Sequence, residues 1–289
     1  MNIIYIGYIT YKMERKLVKQ GRNALTVTLP ANWLKGNSLS ERDCVYIEES
    51  NGNLLIKSSG VLEEKDVEVD VRDMNKRNIY HTITDKYIQG YDVIKVNHNN
   101  MEEIKKVSAN YAGMIIENLD EKECTLKNII AKPTDNYHNI IKRITQLLVE
   151  LSKKQIAYSK TGVEGRDVKR DDALLDNTIL YAMRYISKYE LESKRDKQKS
   201  LLVLYSIETM GDLIKDISEK IYKEEKVARR IYNLVEEYVK SVHLNDYKRV
   251  YNYIKKEAKG LKKESYVDGL YFSLTEVASN FIGYIIEEN

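Results

Sequence analysis

Two pairs of carboxylates stand in stretches of strong helical periodicity: Asp172 with Asp176, and Glu208 with Asp212 in the run Glu208-Thr209-Met210-Gly211-Asp212. Each pair is spaced i, i+4, so a helix projects both acids from neighbouring turns of one face. Like charges at that spacing cost a helix about 0.2–0.5 kcal/mol, and Asp216 extends the second run. If the two helices pack antiparallel, the four carboxylates converge with no compensating Lys or Arg, and an oxygen-rich cluster of that kind suits a hard cation. The plainer reading is a solvated polar face on each helix. Over residues 199–222 the apolar stripe is Val203, Ile207, Met210, Ile214, Ile217 and Ile221, and Glu208, Asp212 and Asp216 point away from it. Over 167–191 the stripe is Leu175, Ile179, Ala182 and Ile186, with Asp172 and Asp176 on its flank. The acids are therefore expected on the surface or in a groove. Gly211 costs a helix about 1 kcal/mol relative to Ala, which points to close approach by another helix or a ligand.

A second constellation is basic. Between residues 12 and 42 the cations are Lys12, Arg15, Lys16, Lys19, Arg22, Lys35 and Arg42 against Glu14 and Glu41; seven against two leaves +5, more than the +3 of the whole chain. Such concentration is the electrostatic footprint of a phosphate-backbone binder. The alternative is a strand edge whose lysines keep it from aggregating.

These groups need elements to hold them. Residues 13–60 read as a small β-rich unit: a strand over Leu25–Leu29, a short helix opened by Pro30 over Ala31–Lys35, and Val45–Ile47 and Leu54–Ile56 flanking the hairpin signal Asn51-Gly52. A unit that small has too little core to stand alone, so dimerisation or docking is expected. Residues 61–132 alternate strand-like runs (67–71, 93–96, 125–130) with helical ones (74–89, 101–111), Gly90 closing the first helix, and make an α/β connector. From Pro133 onward helical periodicity dominates, with helices expected near 135–160, 167–191, 199–222, 224–243, 246–259 and 265–288. The expected fold class is multi-domain α+β, ending over 133–289 in an all-α bundle of two three-helix repeats.

Composition narrows the classes. Cys44 and Cys124 are the two cysteines of 289 residues and lack metal-ligand spacing, which excludes a disulfide scaffold or a thiolate zinc site and fits a reducing cytoplasm. Four scattered histidines form no ligand or catalytic pair, and a hydrolase built on the carboxylates lacks an evident base or nucleophile. The apolar start is far shorter than the ~20 residues that span a bilayer, so a cytoplasmic protein without membrane insertion is expected. Met13 is an equally good start, leaving residues 1–12 as an N-terminal extension. The 23 Tyr against 2 Phe read as compositional bias rather than as a binding surface.

Leu204-Tyr205-Ser206-Ile207-Glu208-Thr209-Met210-Gly211-Asp212 resembles the L-x-x-I-E-R-I-G-D signature of the PhoU family of phosphate-uptake regulators, and Asp172-Ala173-Leu174-Leu175-Asp176 with Leu180–Arg184 is similar to the family's preceding acidic helix. The resemblance implies a PhoU-like bundle with metal on its surface. Its ligands would be Asp172, Asp176, Glu208 and Asp212, holding a divalent or trivalent ion such as Mg, Mn, Fe or Zn. The second half matches less: Glu276 is followed by Asn280 where an Asp is expected, and residues 246–259 hold no clear acidic partner pair, so one site per chain is expected.

Arg15–Lys19 through Leu29–Leu34 and on to Ile47 looks like the SpoVT/AbrB swapped-hairpin DNA-binding domain, with Arg42-Asp43 where that family has Gly-Asp. That likeness implies a head interlocked between two chains, with Arg15, Lys16, Lys19 and Arg22 on the DNA backbone. Arg77–Tyr91 resembles the linker of archaeal-type fusions of the two domains. Together the resemblances imply a homodimeric, non-enzymatic regulator that answers to phosphate status, with metal on the bundle tuning DNA affinity. The rival is an adaptor that docks on a phosphate transporter, its ATPase or a signalling partner without using DNA.

Overall fold

The computed structural model describes residues 14–21, 24–50, 53–58, 64–130, 136–162, 166–189, 194–218, 220–259 and 266–287. Arg22, the Asn51-Gly52 turn and the 1–12 extension lie outside them. The chain is mixed α+β, short strands followed by a largely helical region, and separates into two compact units, Met1–Glu63 and Glu64–Asn289.

In the first unit β1 (Val18–Gln20) and β2 (Ala24–Thr26) pair antiparallel, with Lys19 opposite Leu25. The second strand is shorter than its β-branched run suggested and stops before Val27. Pro30, with φ fixed near −65°, caps α1 (Ala31–Gly36). β3 (Tyr46–Ser50) and β4 (Asn53–Lys57) form the second antiparallel hairpin. The two hairpins belong to separate sheets, and none of residues 14–21, 24–47 and 54–56 is buried.

The second unit begins with β5 (Asp66–Asp70), α2 (Lys76–Ile88), β6 (Val93–Asn97), α3 (Met101–Ser108), β7 (Met114–Leu119) and β8 (Glu123–Asn128). They make one sheet in the order β5-β6-β8-β7, parallel between β5 and β6 and antiparallel elsewhere. Asn75 and Asn100 cap α2 and α3 by accepting from Asn78 N (2.9 Å) and Glu103 N (3.1 Å). Val69, Ile79, Ile83, Ile94, Ile104 and Leu126 form the buried layer between helices and sheet. β7 is absent from the sequence reading because a bulge between Ile116 and Asn118 breaks its period of two.

Six helices follow among the described residues: α4 (Tyr137–Thr161), α5 (Arg166–Lys188), α6 (Lys194–Ser218), α7 (Glu225–Leu244), α8 (Tyr247–Lys259) and α9 (Tyr266–Glu287). Their bounds lie within a few residues of those read from periodicity, except that α6 starts five residues earlier and stops at Ser218. α4, α5 and α6 pack on one another, α7, α8 and α9 do the same, and α4 against α7 and α6 against α9 join the two sets. Ile144, Leu148, Leu175, Ile207, Ile214, Leu234 and Leu274 lie in the common core.

α5 also holds the helices to the sheet layer through α2. Arg184 donates from Nη1 to the carbonyls of Tyr87 (2.9 Å) and Tyr91 (2.7 Å) and from Nη2 to Asp92 Oδ1 (3.0 Å), and its guanidinium lies 5.0 Å from the Tyr87 ring centre. Lys188 also bonds Asp92. Burial opposes ionisation of Asp92, but Lys188, the Lys65 amide and Arg184 outweigh it and hold its pKa below the usual carboxylate value. Gly90, at φ +88°, lets the chain leave α2 where α5 passes: a Cβ there would lie 3.2 Å from Lys188 Cβ.

Candidate metal centre and basic head

At Gly211, α6 lies close against α5. A side chain at that position would place its Cβ 2.8 Å from Leu175 Cδ2 and 3.8 Å from Asp172 Oδ1. The missing side chain therefore lets the two helices approach and brings Asp172 beside the acids of α6. Asp172 is 5% exposed, buried where the helical wheel predicted a surface or groove position on the flank of the apolar stripe. The wheel sees one helix; α6 covers the flank of the other. Asp176, Glu208 and Asp212 are half-buried and Asp216 is exposed.

The expectation that no cation compensates these acids is corrected by Lys215. Its ammonium donates to Asp172 Oδ2 at 2.7 Å and to Asp212 Oδ1, bridging the two helices. Burial pulls the Lys215 pKa down, but the two carboxylates more than reverse this and raise it. On the acids the balance runs the other way. Burial raises Asp172, and the Asp212 and Asp216 charges add to it in spite of Lys215. Asp176 is pushed up to about 7 by burial, then by the Asp172 and Asp212 charges. Glu208 is raised by burial and by Asp212. The charges of Asp172, Asp176, Glu208 and Asp212 thus act on one another.

They are not drawn into a ligand shell: among the described residues no three His, Cys, Asp or Glu side chains are grouped closely enough to hold a metal ion. Their chemistry nevertheless fits a hard cation. Asp172 Oδ1 and Asp176 Oδ1 are both buried without any hydrogen-bond partner, an expensive state for a carboxylate. Tyr80 on α2 closes in on the same field: burial raises its phenol, and the charges of Asp176, Glu208 and Asp212 raise it further. Tyr80 and Lys215 are the two site residues that the sequence reading missed.

At the matching place in α7–α9, Glu276 and Asn280 are exposed. The inward acid of α8, Glu257, is taken up by Arg230 Nε and the Tyr271 hydroxyl, each at 3.3 Å. Among the described residues of α7–α9 there is no counterpart of the orphaned oxygens of Asp172 and Asp176.

In the first unit, Arg15, Lys16 and Lys19 are exposed, the last on β1; Arg22 lies outside the described residues. Arg42 adopts φ +75°, the left-handed region where glycine is at ease, and Asp43 accepts from Ser40 N (2.7 Å) and Oγ (2.8 Å) to brace the turn. The backbone at Arg42-Asp43 is thus one that a Gly-Asp pair would adopt without strain. Leu17, Val18, Leu25, Tyr46, Ile47 and Leu54 are all exposed, Leu54 at 68%.

No protein-family model matches this chain, and no curated protein or solved structure is significantly similar to it.

Proposed function

We propose that this chain is a homodimeric regulator that binds DNA through its basic head and a multivalent cation through the α5–α6 acids, acting by binding rather than by catalysis. The observation that carries the reading is that residues 14–21, 24–47 and 54–56 of the head include none that is buried. Two short hairpins that leave Leu17, Val18, Leu25, Ile47 and Leu54 in water have not completed a core. A second copy, interleaving its own hairpins, supplies the missing layer, as the swapped-hairpin likeness implies. The completed head then presents Arg15, Lys16 and Lys19 twice, in a two-fold array suited to the two strands of a duplex.

The bundle supports the second half of the proposal. The packing of α4–α6 and α7–α9 as two joined sets is what two three-helix repeats would give. Asp172, Asp176, Glu208 and Asp212 would hold the cation, and its charge would relieve their mutual repulsion and the orphaned oxygens. The link to phosphate uptake rests on the likeness of Leu204–Asp212 and Asp172–Asp176 to the family motifs alone.

The test is a titration of the full-length protein into duplex DNA from its own upstream region at several salt concentrations. Tight binding is expected, with log affinity falling by about 0.9 per log unit of salt for each phosphate contacted. The double charge reversal Arg15→Glu, Lys19→Glu should abolish it. Binding no stronger than to unrelated DNA, unchanged by that reversal, would make the head a dimerisation module and favour a transporter-docking adaptor.

A further inference from the structure

Lys215 stands in an unusual place for a structural counter-ion. Its ammonium lies between Asp172 and Asp212, two of the four acids assigned to the cation, yet Asp172 Oδ1 and Asp176 Oδ1 stay buried without partners. The ammonium therefore bonds one oxygen of Asp172 and one of Asp212 and leaves the two orphaned oxygens unserved. Asp172 is buried with a side chain 7% exposed, whereas the Lys215 side chain is 29% exposed. The acid is fixed between helices, but the lysine reaches in from the rim on a flexible stem and has an open way back to water.

We infer that Lys215 is a tethered competitor for the cation site: it closes the acidic cluster when no metal is present and must swing out for a metal to enter. The inference rests on the metal reading given above. Displacement moves one positive charge out to solvent and brings a multivalent one in, so the lysine sets a charge threshold. A sodium or potassium ion offers no more charge than the ammonium it would replace. A divalent or trivalent ion offers more, and it can also use the two orphaned oxygens, which the ammonium leaves unused. Lys215 thereby weakens the site for every ion but discriminates most against monovalent ones, and it keeps the empty bundle folded.

The experiment compares wild type, Lys215→Met and Lys215→Arg as full-length proteins stripped with chelator and titrated with Mn2+ and separately with Mg2+ by calorimetry. Met keeps the stem and removes the charge. Lys215→Met should bind Mn2+ at least tenfold more tightly than wild type, while Lys215→Arg, which keeps the charge, should stay close to wild type. Melting in chelator gives a readout independent of affinity: Lys215→Met should melt below wild type without ion, and Mn2+ should raise its midpoint by more than it raises that of wild type. If Lys215→Met does not fold without ion, Mn2+ should restore folding, and failure to do so overturns the inference. Equal or weaker Mn2+ affinity in Lys215→Met, with clear binding by wild type, also overturns it and leaves the metal reading standing. Absence of binding to all three proteins overturns the metal reading and the inference with it.

Discussion

Burial, repulsion and one ammonium meet at Asp172, and Gly211 makes the meeting possible. Substituting Gly211 by Ala gains about 1 kcal/mol of helix propensity but forces a methyl into Leu175, a fully buried side chain, 2.8 Å from Cδ2. Overpacking of that kind costs about 1–3 kcal/mol. Gly211→Ala is therefore expected to lose about 1 kcal/mol in urea unfolding, where an exposed helical glycine would gain as much; a gain in stability would contradict the close approach. The i, i+4 spacing of the acids and the close approach at this glycine were legible in the sequence, because spacing along one helix and the cost of glycine are local properties. Lys215 was not. Its partners lie three residues back on its own helix and on another helix altogether, so a search for an i+4 cation passes over it. Asp172 was misplaced for a related reason: periodicity orients a residue on its own helix and says nothing of the neighbour that covers it.

Among the elements, α5 has a double attachment, with Asp172 and Asp176 toward its start and Arg184 and Lys188 toward its end, clamped on Asp92. Truncating one partner of a buried ion pair leaves the other charge uncompensated, at a cost of about 3–5 kcal/mol. Arg184→Ala is expected near the lower figure, since Lys188 still faces Asp92. Chemical denaturation would measure it, and a loss below about 1 kcal/mol would show that the clamp is unimportant. The clamp also carries a pH signature. The folded-state pKa of Asp92 is depressed, so its stabilisation is complete above the unfolded value, about 3.9, and is lost as pH falls through the lower folded value. Wild type should lose more stability below about pH 4 than Asp92→Asn, which has no such proton to take up. The helices themselves were readable from period and breaks. The clamp joins residues more than ninety positions apart, which no local pattern reveals. β7 was hidden by its bulge.

For the whole molecule, two site types in one chain matter only if they communicate. The basic concentration and the shortage of core in residues 13–60 were plain from the sequence, because both follow from composition and length. The proposed regulator further requires that a cation on the bundle tune the DNA affinity of the head, and coupling free energies of about 1–3 kcal/mol correspond to about 5–150-fold in affinity. The direct measurement is the affinity of full-length protein for its upstream duplex at fixed ionic strength, in chelator and in saturating Mn2+, for wild type and for Asp172→Asn, Asp212→Asn. Wild-type affinity should change at least fivefold between the two conditions, and that of the double variant should not respond. Equal wild-type affinity with and without the ion, under conditions where the ion is bound, would contradict the account.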